Sequence, residues 1–117
     1  MSAKKWEIWI ADLKPQAGTE PGKTRPVVVV QTDLLNDTHP STIICPITTN
    51  IEQESDILRV HLKKNEAGLK KDSDILVDQL RAIDNRRLIK KIGTISDQSK
   101  IKLQKNISII LDVNAEM

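Results

Sequence analysis

The chain contains no phenylalanine and no tyrosine; its aromatic residues are Trp6 and Trp9 alone. That argues against an RNA binder built on a broad aromatic stacking platform. Cysteine is reduced to Cys45, so no intrachain disulfide can form, and one cysteine with two distant histidines cannot supply a structural zinc site. Within Ile43-Ile44-Cys45-Pro46 that thiol reads as a small buried hydrophobe, not a nucleophile. Acidic residues are scattered, without the dense carboxylate cluster of a two-metal nuclease, and neither a phosphate-cradling Walker loop nor a dinucleotide fingerprint occurs. No apolar run reaches membrane-spanning length, and Trp6-Glu7 follows the opening Met1-Ser2-Ala3-Lys4-Lys5 where a signal peptide would turn apolar. A soluble cytoplasmic protein without a membrane partner is expected.

What remains is 117 residues with a net charge of +2, a length that suits one domain over 1–117 and a charge too small to imply nucleic acid by itself. Folding at that size buries roughly two thirds of the unfolded chain's surface, so the core needs no staples. The basic doublets Lys63-Lys64, Lys70-Lys71, Arg86-Arg87 and Lys90-Lys91 read first as solvated surface.

The most informative stretch runs from Glu20 to Gln31. Pro21-Gly22 fits the central positions of a type II turn, because proline presets one φ and glycine accepts the positive φ that follows. Arg25 precedes Pro26 and is therefore pushed into extended geometry. Pro26, lacking an N–H, suits the first position of a strand. Val27 to Val30 present apolar groups to both faces, which predicts a strand buried on both sides. A cation thus stands at the mouth of a rigid strand, with Glu20 and Lys23 close by. This is either an anion site or a surface ion pair.

Around it, residues 6–13 and 42–48 read as strands, with Pro46 marking an edge or a bulge in the second. Thr48 emerges at a strand end, where its hydroxyl can donate to a phosphate oxygen or bond its own turn. Residues 56–63 alternate, placing Leu58, Val60 and Leu62 inward and Arg59, His61 and Lys63 outward. Residues 74–81 read as a further strand in which Asp78, between two leucines, is partly buried. Asp84 caps a short turn, 89–95 is a last strand, and Ser96 caps a helix over 97–112 with Leu103, Ile107, Ile110 and Leu111 on its inner face. Strands followed by one helix predict a small, strongly curved antiparallel sheet or barrel closed by that helix. If such a protein acts on a phosphate substrate, metal-free chemistry on RNA fits best. There the substrate's own 2′-OH attacks, and the protein supplies a base, an acid and positive charge.

At this point the chain resembles the MazF/PemK toxin endoribonucleases of type II toxin–antitoxin modules. The resemblance rests on Trp9, on the block Gly18-Thr19-Glu20-Pro21-Gly22-Lys23-Thr24-Arg25-Pro26 with its valines, and on Cys45-Pro46-Ile47-Thr48. It continues through Val77-Asp78-Gln79-Leu80-Arg81, Arg87-Leu88 and Ile92-Gly93. It implies a mainly β, SH3-like small barrel with a C-terminal helix, of the MazF/CcdB type. It also implies a homodimer, a cognate MazE-like antitoxin, and sequence-specific cleavage of single-stranded RNA without metal or other cofactor, to 2′,3′-cyclic phosphate and 5′-OH ends. Carried over by position, Arg25 and Thr48 are the catalytic pair, Glu20 matches an acidic loop position tied to the site and is taken as the third catalytic residue, and Gln79 matches a position near the RNA groove. Lys23, Thr24, Thr49 and Asn50, beside the catalytic pair, are the further RNA-binding candidates. Arginine stays charged in proteins, so Arg25 is assigned to stabilising the phosphorane rather than to simple base catalysis. Glu20 is the candidate base, with Asp78 as the alternative. The competing function is a CcdB-like toxin on the same fold that binds a protein such as gyrase and cuts no RNA.

Overall fold

The structure, a computed structural model, describes residues 2–14, 18 and 23–113. Its strands are β1 (Glu7–Asp12), β2 (Thr24–Val29), β3 (Ser41–Thr48), β4 (Arg59–Leu62), β5 (Ser73–Leu76), β6 (Arg81–Asp84) and β7 (Leu88–Thr94), followed by helix α1 (Asp97–Leu111). All pairings are antiparallel in the order β4-β5-β3-β2-β1-β7, with β6 attached to β3. This is the expected mainly β, barrel-like sheet with a C-terminal helix.

β3 is the branching strand. One edge pairs β2; the other pairs β6 over Ser41–Ile44 and then β5 over Ile47–Thr48. Cys45 and Pro46 fall in the break between those two pairings, where a missing N–H costs that edge no ladder bond. Pro46 therefore marks a change of partner within an internal strand, not an outer edge. β2 begins at Thr24, so Pro26 is its third residue and not its first.

The valine alternation divides the core. Val27 and Val29 pack with Trp9, Ala11, Leu13, Ile44, Ile83 and Leu88 on one side of the sheet. Val28 faces Ile8, Cys45, Ile47, Ile75 and Leu103 on the other. All three valines are fully buried, each worth roughly 1.5–3 kcal/mol against exposure, which makes β2 a stiff central element.

Ser96 caps α1 as expected, its hydroxyl accepting from the Ser99 N–H at 3.2 Å. Leu103 is wholly buried and Ile107 and Ile110 pack beside it, but Leu111 is 54% exposed. It lies in the last turn, where Asp112 ends the helix in a left-handed conformation. Asn106 takes the inner place instead and donates to the carbonyls of Asp56 (2.9 Å) and Arg59 (3.4 Å).

The strand expected over 74–81 is broken. β5 and β6 must reach successive stretches of the same β3 edge, so the chain turns between them through a 3-10 turn at Val77–Gln79. Asp78 lies on that turn and is exposed, not partly buried. Leu58 precedes β4 and is 45% exposed, because the strand begins only at Arg59.

Candidate functional site

Arg25 is the second residue of β2, half-buried, opposite Ala11 on β1. Thr48 closes β3, also half-buried. The β2–β3 register pairs Val29 with Ile44, Val28 with Cys45 and Val27 with Pro46. Two residues further along both strands, the same register leads to Arg25 and Thr48. Alternation puts both on the face of Val27, Val29 and Ile44, so a guanidinium and a hydroxyl emerge at one end of one rigid strand pair.

The Thr48 hydroxyl accepts the Asn50 N–H at 3.1 Å, the turn role open to it from sequence. As an acceptor it keeps its own proton to donate to a ligand oxygen, so the two roles coexist. Thr49 and Asn50 follow it in the exposed connection to β4. Thr24 is exposed opposite Asp12, and Lys23 is exposed with φ 71°, a left-handed conformation unusual for lysine. Its carbonyl accepts from Leu13 N at 2.9 Å, tying this end of β2 to β1. Lys23 to Arg25 and Thr48 to Asn50 therefore gather at one end of the sheet. Gln79 stands apart in sequence, half-buried at the close of the 3-10 turn that packs on β3 and β4. Glu20, with Pro21 and Gly22, lies outside the described residues.

A groove of about 440 Å³ opens at Thr48 and Thr49 and runs over a floor that includes Ile10, Pro26 and Ile47. Pro26 points towards it, and alternation sends Arg25 to the other face of β2, so Thr48 stands where the two faces meet at the strand end. Lys70, Lys71 and Lys90, members of doublets read from sequence as solvated surface, line the same groove.

Sequence reasoning missed Asp74. It is opposite Thr48 in the β3–β5 register and 0% exposed. Its Oδ2 accepts from the Glu52 N–H at 2.9 Å and from Arg59 Nη1 at 3.0 Å, and its Oδ1 lies 2.6 Å from His61 Nδ1. Arg59 also donates to the Asn50 carbonyl at 2.9 Å. One buried carboxylate thereby holds the segment that follows Thr48, and His61, expected simply to face water, is one of its partners. The available signal was the outward row Arg59, His61 and Lys63, where two cations on one face call for an acid on the neighbouring strand.

A further expectation, at Cys45, holds. Cys45 is buried, and burial, with the charge of Asp78 adding to it, pushes its thiol up to about 12, far from a nucleophile. Trp9 is a core residue whose indole N–H donates to Glu7 Oε1 at 3.0 Å. Among the described residues no three Asp, Glu, His or Cys side chains gather as a metal site requires, and no helix is long and apolar enough to cross a membrane.

Residues 4–111 match the family model described as PemK-like, MazF-like toxin of type II toxin–antitoxin system. A curated relative, Endoribonuclease MazF of Staphylococcus epidermidis, is 34% identical over 111 residues, spanning 95% of this chain and 92% of that protein. Among solved structures, MazF of Deinococcus radiodurans superposes with a TM-score of 0.82 at 20% identity, covering 97% of this chain and 99% of that one. A mycobacterial endoribonuclease solved in complex with its cognate antitoxin gives a TM-score of 0.78 at 12% identity, covering 96% and 97%. At such identities these structures establish the fold alone.

Proposed function

This chain belongs to the PemK-like, MazF-like toxins of type II toxin–antitoxin systems, and from that premise we propose that it is a sequence-specific endoribonuclease of single-stranded RNA. It acts in the cytoplasm as a single-domain homodimer, needs no metal, and is neutralised by a cognate MazE-like antitoxin. The observation that carries the reading is the register that leads Arg25 and Thr48 to the same end of a buried strand pair.

The chemistry needs only what RNA and these side chains supply. The 2′-oxygen attacks the adjacent phosphorus and its proton passes to a base, for which Glu20 is the candidate. The Arg25 guanidinium faces the developing phosphorane and hydrogen-bonds its oxygens through a planar fork. Thr48 donates to a non-bridging oxygen. The P–O5′ bond breaks, O5′ takes a proton from water while the Arg25 guanidinium stabilises its developing charge, the base returns its proton to solvent, and the products are a 2′,3′-cyclic phosphate and a 5′-OH. Lys23, Thr24, Thr49, Asn50 and Gln79 hold the flanking nucleotides.

The test is incubation of the purified protein with a long, weakly structured RNA in EDTA, beside Arg25→Ala, with ends mapped by primer extension. Discrete cuts at a short recurring sequence, absent from the variant, are expected. A folded wild type that makes no cuts would move the weight to a toxin that binds a protein. Equal cutting by both preparations would remove Arg25 from the mechanism.

A further inference from the structure

Lys70-Lys71 and Lys90 come from separate parts of the chain, and the fold takes pains to bring them together. Between Asn65 and Gly68 three residues have positive φ: Asn65 (76°), Ala67 (54°) and Gly68 (82°). This turn lies backbone to backbone against β7. A Cβ on Gly68 would sit 2.3 Å from the Ile92 carbonyl oxygen, and one on Gly93 would sit 2.3 Å from that of Ala67. Leu69, 5% exposed, then anchors the chain in the core, and Lys70 and Lys71 follow it, exposed, beside the groove. A left-handed alanine is costly, and such strain persists where the surrounding structure over-determines it.

The opposite side is set by register. Lys90 on β7 pairs with Ile10 on β1, and Ile10 pairs with Pro26 on β2. Ile47, next to Pro46 on β3, continues the row towards Thr48. Three inter-strand steps of about 4.8 Å make a floor roughly 14 Å long. Among the described residues no Asp or Glu lines this groove and no ion pair engages its three lysines, whereas the neighbouring Lys91 is bound to Glu7 at 2.9 Å. Three ammonium groups around an apolar floor repel one another until an anion joins them.

We propose that this groove is a second RNA subsite, in which Lys70, Lys71 and Lys90 hold backbone phosphates flanking the cut while the apolar floor takes a base face. The inference rests on the nuclease reading above. RNA is preferred to an acidic protein segment because the groove is continuous with Thr48, beside the proposed scissile phosphate.

The test compares Lys70→Gln/Lys71→Gln/Lys90→Gln with the same three positions changed to Arg, and with Lys102→Gln/Lys105→Gln on α1 as a control for net charge. Binding of a mixed-sequence single-stranded RNA is measured against salt in an Arg25→Ala background, so that the RNA stays whole. Thermal melts confirm folding. Losing up to three phosphate contacts lowers the slope of log K against log[salt] by about 2, so the variant binds more weakly at low salt and its deficit against the wild type shrinks by roughly tenfold between low and moderate salt. The arginine set keeps the slope, the α1 control leaves it unchanged, and in the cutting enzyme the glutamine set raises KM more than it lowers kcat. A wild type that cuts RNA while the glutamine set keeps its slope and KM overturns the subsite and leaves the nuclease standing. A wild type that neither binds nor cuts RNA overturns both. An intact RNA slope with lost affinity for a polyglutamate probe reassigns the groove to an acidic protein segment.

Discussion

Asp74→Ala removes the group on which the strand end depends. The carboxylate is 0% exposed and bonds the Glu52 N–H and the side chain of Arg59, itself 14% exposed. Breaking a buried pair by deleting one partner costs about 3–5 kcal/mol, because the other charge is left without compensation. Arg59 keeps two oxygens, the Asn50 carbonyl at 2.9 Å and the Glu52 carboxylate at 3.5 Å, which argues for the lower end, about 3 kcal/mol. At a urea m-value of about 1.5 kcal/mol/M the midpoint falls by roughly 2 M. Asp74→Asn keeps an acceptor and the side chain's shape but loses the charge, and costs about 2 kcal/mol, within the range for a hydrogen bond to a charged group. Added salt restores little of either loss, since a buried pair is weakly screened. The functional readout is the cut pattern of the folded Asn variant: freed from its anchor, the Thr48–Glu52 segment tolerates more RNA sequences. An Ala variant within about 0.5 kcal/mol of wild type, the range of an ordinary surface substitution, would refute the energetic reasoning. A folded Asn variant with an unchanged cut pattern would refute the anchoring role.

Gly93→Ala forces a methyl to within 2.3 Å of the Ala67 carbonyl oxygen and 2.4 Å of its carbon, atoms of a backbone that cannot rotate away. Overpacking of about 1–3 kcal/mol lowers Tm by roughly 4–12 °C, and an unchanged melt would mean the two segments are not in contact. Cys45, its thiol pushed up to about 12 by burial, resists iodoacetamide in the native protein at mildly alkaline pH and is labelled fully in urea; rapid native labelling would contradict the core assignment. Burial opposes ionisation of Glu7, but bonds from the Trp9 indole, the Lys4 N–H and Lys91 outweigh it and hold its pKa below the ordinary 4.5. A lowered folded pKa contributes stability above 4.5 that is lost as pH falls through the folded value, so the urea-midpoint gap between wild type and Glu7→Gln narrows on acidification. A gap that stays constant through that range would show that ionisation of Glu7 contributes nothing.

The readable parts of this chain are those where local chemistry and burial agree. The valines of β2 alternate between two cores as their pattern requires, and Ser96 caps α1 where its hydroxyl is spaced to do so. The missed parts depend on partners remote in sequence. Asp74 looks like any acid near a turn until β4 supplies Arg59 and His61. Residues 74–81 carry a strand's composition throughout, and only the division of the β3 edge breaks them into two strands and a turn. At the candidate site, Arg25 and Thr48 were visible through their strand-end positions and the family resemblance. Lys70, Lys71 and Lys90 were hidden because doublets of lysine are common, and only the packing of the Ala67–Gly68 turn against Ile92 and Gly93 gives these three a shared address.

That division of β3 also explains why a site should form at its end. β6 holds one edge of the strand over Ser41–Ile44 and β2 holds the other over Ile44–Pro46; beyond Pro46 the partner is β5, itself joined to β4. The strand thus passes from one sheet environment to another without a loop, and Thr48 ends it with a buried carboxylate directly opposite. Phosphoryl chemistry of the kind proposed relies on donors fixed before the charge develops, since a donor that must reorganise gives back part of its stabilisation. A hydroxyl that closes a strand paired along its length, on the same face as a guanidinium of the valine-packed strand beside it, meets that requirement better than either group would from a surface loop. The variable element is the segment beyond Thr48, joined to this frame through Asp74 and Arg59. Changes in which RNA is cut should therefore map to residues 49–52 and their anchors, and changes in whether RNA is cut should map to Arg25 and Thr48.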